Sequence, residues 1–184
     1  MKKMFFAGLA LVALGLTSCS GEIKYKTDKN SGFYEIDVPE HMEISAELND
    51  EASTQYEWVS AEGGVTKEHY VIVLMETKEE IASYGLEGMF DALSYSELSV
   101  ESIGSGLIEY NILTKAPKIE KINGMDCVRY QMDGSNGIVG VYYELGVFEG
   151  EKAFYQVLTW TIKDQKDEFK PQMDHIINSF KETK

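Results

Sequence analysis

Val71-Ile72-Val73-Leu74-Met75 is an uninterrupted apolar run rich in β-branched side chains, and it constrains the fold more than any other stretch of the chain. Side chains alternate between the two faces of a strand, so a strand that is apolar at every position must be covered on both. A sheet left solvated on one side is thereby excluded. The run belongs to the second half of a hairpin: Tyr56 to Ala61, a turn at Glu62-Gly63-Gly64, then Lys67 to Glu76. Glycine supplies the positive φ that such tight connections need.

Ahead of the hairpin, Tyr34, Ile36 and Val38 alternate with Phe33, Glu35 and Asp37, the pattern of a strand that Pro39 ends. A second extended piece is expected around Met42 to Ala46. From Lys78 to about Ile103 the spacing predicts a helix, with Leu86, Met89, Phe90 and Leu93 at i, i+3, i+4 and i+7. Glu79-Glu80 suit the positive end of its dipole, Gly85 and Gly88 weaken its beginning, and Ile103-Gly104-Ser105-Gly106 end it. After a less regular stretch, Lys115 to Ile122, Asp126 to Met132, Ile138 to Phe148 and Ala153 to Thr161 read as a four-strand meander. Asn123-Gly124, Asp133-Gly134-Ser135-Asn136-Gly137 and Glu149-Gly150 are the turns between them. Phe169, Met173, Ile176, Ile177 and Phe180 mark a final amphipathic helix lying on the sheet. Pro171 belongs in its first turn, which places the helix start between about Asp167 and Pro171. Strands, helix, meander and helix in that order predict an α+β fold, an antiparallel sheet of about six to seven strands flanked by helices.

The N-terminus has a different character. Lys2 and Lys3 precede an apolar run from Met4 to Leu16, which Thr17-Ser18-Cys19 close with small side chains. That is the pattern of a secretion signal, and the run is shorter than the roughly 20 residues a membrane-spanning helix needs. Leu16-Thr17-Ser18-Cys19 resembles the bacterial lipobox, which implies cleavage before Cys19 and lipid attachment to its sulfur. An ordinary secretory signal with an incidental cysteine is the alternative. The expected organisation is a lipoprotein signal peptide over residues 1–18, a polar lipid-anchored tether over 19–32 and one domain over 33–184. Acyl chains on Cys19 would hold the protein to a membrane of the cell envelope, and Ser20 in place of Asp implies the outer membrane.

Charge and cysteine content narrow the function classes. Lys and Arg number 17 against 31 Asp and Glu, a net charge of −14, and Lys2 and Lys3 leave with the signal. Nucleic-acid affinity rests on cationic neutralisation of phosphates, so nucleic acid is excluded as a partner. The acidity reads as solubility, with recruitment of a cationic partner as the alternative. Once Cys19 is lipidated, Cys127 is the remaining cysteine and no intramolecular disulfide can form.

Ile122-Asn123-Gly124-Met125, Val128-Arg129-Tyr130, Val141-Tyr142-Tyr143, Tyr155-Gln156-Val157-Leu158-Thr159-Trp160 and Ile176-Ile177-Asn178-Ser179-Phe180 together resemble the PsbP-like superfamily. That superfamily takes in the thylakoid lumen protein PsbP, a eukaryotic Ran-binding relative and the bacterial envelope lipoprotein DcrB. The resemblance covers most of residues 33–181 and implies an antiparallel sheet with helices on its faces. It brings no catalytic motif, and it implies an accessory or binding role in larger assemblies.

Chemistry-bearing residues are sparse. Cys127 shares a strand face with Arg129 and Gln131, and an arginine at that range can lower a thiol pKa, but no base is placed beside it. It reads as an inert buried thiol. His41, His69 and His175 lack the spacing of metal ligands, and His175 is expected to be solvated on the polar side of the last helix. Asp133-Gly134-Ser135-Asn136-Gly137 lacks the alternating acids of a calcium loop, and Ile103-Gly104-Ser105-Gly106 is neither a nucleophile elbow nor a phosphate loop. The expectation is therefore no catalytic, metal or cofactor residue, and a lipid-tethered, non-enzymatic binding or assembly module with an envelope protein as partner. It would act through the sheet surface or through Ser94 to Ala116. A small envelope hydrolase, its residues converging only in three dimensions, is the alternative.

Overall fold

The structure is a computed structural model, and it describes residues 22–30, 32–135 and 137–183. In chain order the strands are β1 (Tyr25–Asn30), β2 (Tyr34–Pro39), β3 (Glu43–Ile44), β4 (Thr54–Glu62) and β5 (Val65–Thr77). The helices α1 (Lys78–Ser83) and α2 (Ala92–Ser105) follow, then β6 (Glu109–Ile112), β7 (Ile119–Ile122), β8 (Met125–Ser135), β9 (Gly140–Glu149) and β10 (Ala153–Ile162). The helix α3 (Lys166–Ser179), entered through a 3-10 turn at Lys163–Gln165, and β11 (Lys181–Glu182) close the chain. The fold is α+β and its pairings are antiparallel.

An 8-stranded sheet runs β3-β4-β5-β10-β9-β8-β6, with β7 also paired to β8, and a 3-stranded sheet runs β1-β2-β11. The apolar run in β5 shows why the main sheet needs two covers. Val71 and Val73 belong to a core that includes Tyr34, Ile36, Tyr155 and Phe180, lying under the small sheet and α3. Ile72 belongs to a second core with Ile81, Tyr95, Val128 and Leu158, lying under α1 and α2. Alternate side chains of one strand thus feed two separate cores, the arrangement of three layers.

Local chemistry sets the boundaries. Gly63 and Gly64, at φ 61° and 81°, make the two-residue link between the paired Glu62 and Val65. Thr77 caps α1 in a reciprocal box with Glu80, and Glu79 and Glu80 occupy its first turn as expected. The residues that carry the PsbP-like resemblance meet in space. Asn123, at φ 50°, donates from Nδ2 to the carbonyl oxygens of Asn178 and Phe180 at 2.9 Å each, while Ser179 Oγ accepts from the Asp37 amide at 2.9 Å. The turn after β7 therefore pins the end of α3.

Four expectations need correction. Tyr25–Asn30, expected to belong to a tether over 19–32, form β1, because the edge of β2 offers a full antiparallel ladder from Tyr25↔Pro39 to Asn30↔Tyr34. The helix expected from Lys78 to about Ile103 is two helices, parted by a segment in which Gly85 and Gly88 take φ of 75° and 70°. Leu86, Met89 and Phe90 lie in that segment, from which Leu86 and Phe90 pack on the second core while Met89 is exposed, so their helical spacing does not mark a helix face. Asp133, Gly134 and Ser135 extend β8 instead of turning, and the turn lies between the paired Ser135 and Gly140. Helix α3 starts at Lys166, at the near end of the expected window, and Pro171 therefore falls in the second turn and not the first. Phe169, Met173, Ile176, Ile177 and Phe180 are all buried against the sheet, as expected. Cys19 lies outside the described residues.

Candidate functional site

Beneath α3 the main sheet carries a partly buried ionic cluster built on one buried acid. Glu144 of β9 is 1% exposed, and its carboxylate accepts from Tyr142 OH at 2.7 Å and pairs with Lys170 Nζ at 3.0 Å and Arg129 Nη2 at 3.3 Å. Asp174 of α3 closes the cluster, 2.6 Å from Arg129 and 2.8 Å from Lys170. Burial alone would raise the Asp174 carboxyl, but Lys170 and Arg129 together hold it below its usual range. Burial, and then the bond to Glu144, pushes the Tyr142 hydroxyl up. Two partly exposed cations pair with the buried Glu144 and with Asp174 between helix and sheet, and a buried charge is tolerated when it is paired in this way. The cluster is a clamp for α3.

The residues singled out in the sequence do not converge. Cys127 is fully buried, and burial, with a smaller contribution from Glu120, pushes its thiol up to about 12. Arg129 on the same face is occupied by Asp174 and Glu144. His69 is buried against Thr159, and His175 stacks on Tyr25 with ring centroids 3.7 Å apart, so it does more than face solvent. Among the described residues no group of three or more His, Cys, Asp or Glu side chains could hold a metal ion. Gly104 and Ser105 end α2, as expected, with Gly106 as its cap.

An open apolar edge is the more distinctive feature. Gly106 turns the chain out of α2, and β6 then pairs along β8 from Glu109↔Ser135 to Ile112↔Met132, as the last strand of the main sheet on that side. Leu113 continues the ladder by donating to the Gln131 carbonyl at 2.8 Å. With that bond as reference, alternation turns the backbone N–H and C=O groups of Tyr110 and Ile112 away from β8. Ile108 is 74% exposed, Ile112 44% and Tyr110 41%. Edge strands are ordinarily guarded by lysine, proline or a cover, and Glu109–Ile112 carries neither lysine nor proline. This edge lies within the stretch Ser94 to Ala116 that the sequence nominated, although β6 itself was not anticipated. Its signal was there: Ile108, Tyr110 and Ile112 alternate with Glu109 and Asn111, over a segment too short to stand out. Glu144 gave no signal, because an acid inside an apolar strand reads as solvent-facing until its partners on α3 are known.

No protein-family model and no curated protein matches the sequence. Solved structures do match in shape. LpqN of Mycobacterium tuberculosis, involved in cell envelope biogenesis, superposes with a TM-score of 0.58 at 10% identity, over 89% of this chain and 93% of that one. The cyanobacterial PsbP protein CyanoP of Synechocystis gives 0.54 at 12% identity, over 92% and 99%. The Pseudomonas aeruginosa protein PA94, of unknown function, gives 0.53 at 10% identity, over 84% and 94%. The class defined by architecture and likeness together is the PsbP-like α+β fold. At such identities the likeness is one of fold.

Proposed function

We propose that this chain is an envelope lipoprotein, anchored through Cys19, whose PsbP-like domain works by binding a protein partner along the open β6 edge and performs no catalysis. The observation that carries the reading is that edge: outward-turned backbone groups on Tyr110 and Ile112 beside exposed Ile108 and Ile112. Such an edge recruits an extended segment, with main-chain bonds for affinity and side chains for selection. The involvement of LpqN in cell envelope biogenesis supports the envelope setting. Leu16-Thr17-Ser18-Cys19 supports the anchor, with Ser20 favouring the outer membrane.

The test is in-cell crosslinking from a photoreactive residue placed at Ile112, with Val65, exposed at the β4–β5 hairpin, as control. A discrete protein adduct should form from Ile112 and not from Val65, and Ile108→Lys should suppress it. No adduct from Ile112, or the same adducts from both positions, would remove the edge as binding site. The full chain should show no turnover against ester, peptide, glycoside and phosphate substrates. Turnover that a point substitution abolishes without unfolding would decide for a hydrolase.

A further inference from the structure

A cavity of about 190 Å3 lies on the far side of the main sheet from α3, lined by Lys78, Ile81, Leu86, Phe90, Glu149 and Phe154. Its floor is held in place. Phe154 stacks on Tyr95 at 4.5 Å, Tyr95 meets Phe90 edge-on at 6.0 Å, and Tyr95 OH donates to Glu76 at 2.8 Å. The segment between α1 and α2, which turns at Gly85 and Gly88, lines it with Leu86 and Glu87. One wall is an ion pair. Lys78 Nζ stands 3.3 Å from Glu149 Oε1 and 5.5 Å over the centre of the Phe154 ring. The other oxygen of Glu149 accepts from the Ala92 amide at 3.0 Å. Behind that pair opens a polar cleft of about 470 Å3, lined among others by Lys121, Asp126, Glu151 and Glu182.

We infer that this cavity binds a small primary amine whose apolar body is the size of one ring or a short branched chain. The ammonium takes the place of Lys78 against Glu149 and the Phe154 ring. Size sets the body: a dry apolar cavity of ~150 Å3 accepts benzene, so this one holds a ring and a short link. Charge sets the head. A carboxylate beside an aromatic face is an ammonium site, and here it already holds an ammonium, that of Lys78. The Lys78 side chain is 41% exposed on a flexible stem, so it can swing into solvent when a ligand ammonium arrives. A ligand anion would meet Glu87 and Glu149 at the cavity and Glu151 and Glu182 in the cleft. Lys121, the other cation there, is already 2.8 Å from Asp126. An uncharged ligand would fill the same volume without the ionic contact.

Equilibrium dialysis of the full-length chain in lipid nanodiscs tests this with three probes of similar shape: phenethylamine, 2-phenylethanol and 3-phenylpropionate. Phenethylamine should bind about tenfold tighter than either of the others. Glu149→Gln should remove that preference, and Leu86→Trp, which fills the cavity, should remove binding of phenethylamine itself. Equal binding of all three probes, or undiminished binding to folded Leu86→Trp, would overturn the assignment. If Leu86→Trp does not fold, a diazirine-bearing phenethylamine on the wild type decides the matter. Its label belongs on residues 78–90 or on Phe154, and label confined elsewhere refutes the site.

Discussion

His69 is fully buried, with Nε2 2.9 Å from Thr159 Oγ1 and Nδ1 finding no hydrogen-bond partner among the described residues. Burial, and to a lesser degree repulsion from His41, pushes its pKa from 6.5 down to about 3. The neutral ring is therefore the form that fits the fold. Its contribution to stability is complete above the unfolded value near 6.5 and is lost as pH falls from there toward about 3. His41, lowered chiefly by its own burial, acts with the same sign, whereas the depressed carboxylates Asp133 and Asp174 matter only below ~4. Between pH 7 and 5 the wild type should lose ~2 kcal/mol in urea unfolding, and His69→Leu should lose less than half of that. An unchanged slope in the variant would assign the loss elsewhere. Cys127 makes the companion case: in a Cys19→Ala chain its buried thiol should react with maleimide only as fast as the protein unfolds. Fast labelling of the folded chain would contradict its burial. The inertness of Cys127 was legible in the lack of a base beside it, but the burial of His69 was not. A histidine at the head of an apolar run looks the same in sequence whether it meets water or Phe169.

Helix α3 approaches the sheet over Gly146, where an added Cβ would come within 2.7 Å of Ile177 Cγ2 and 3.0 Å of Phe148 Cε2. Both neighbours are buried and have no room to give. Alanine is ordinarily the better strand residue, yet the overlap outweighs that gain, so Gly146→Ala should destabilise by ~1 to 3 kcal/mol. A melting temperature equal to that of the wild type would mean that the helix does not seat there. Phe180 follows the helix and packs on Phe148 at 4.7 Å and on Tyr34 and Tyr155 at 5.1 Å each. Its truncation to alanine should cost ~3 to 5 kcal/mol and lower the melting temperature by about 10 °C or more. A shift under a degree would refute the packing. The apolar stripe of α3 was readable from its spacing alone. The break between α1 and α2 was harder, because Leu86, Met89 and Phe90 imitate a helical face while two glycines at positive φ interrupt the backbone. One clue was present, since Thr77 followed by Glu80 announces a helix start beside β5. Asp91 with Ser94, which starts the second helix, is a weaker pattern to read.

At the scale of the molecule, a five-residue run in β5 foretold two covering layers, since neither face of an all-apolar strand can be left in water. About six to seven strands in one sheet were expected, against eleven in two sheets among the described residues, and the small second sheet was not foretold. β1 and β11 are polar segments that become strands because β2 stands beside them. The proposed membrane anchor belongs to the same scale. Among the described residues no helix is long and apolar enough to cross one. The chain carries a net charge of −14, so anionic headgroups repel it instead of attracting it. On the reading proposed above the hold is an acyl anchor on Cys19, where each buried acyl methylene would contribute ~0.8 kcal/mol and two chains would give a lasting hold. The wild type should stay with the membrane fraction through washes in high salt, because an acyl anchor has no ionic contact to screen. Cys19→Ala should appear in the soluble fraction or remain uncleaved, and mass spectrometry of the wild-type N-terminus should find acylated Cys19. Release of the wild type by salt, or an unmodified mature N-terminus, would show that the protein is held by something other than its lipid.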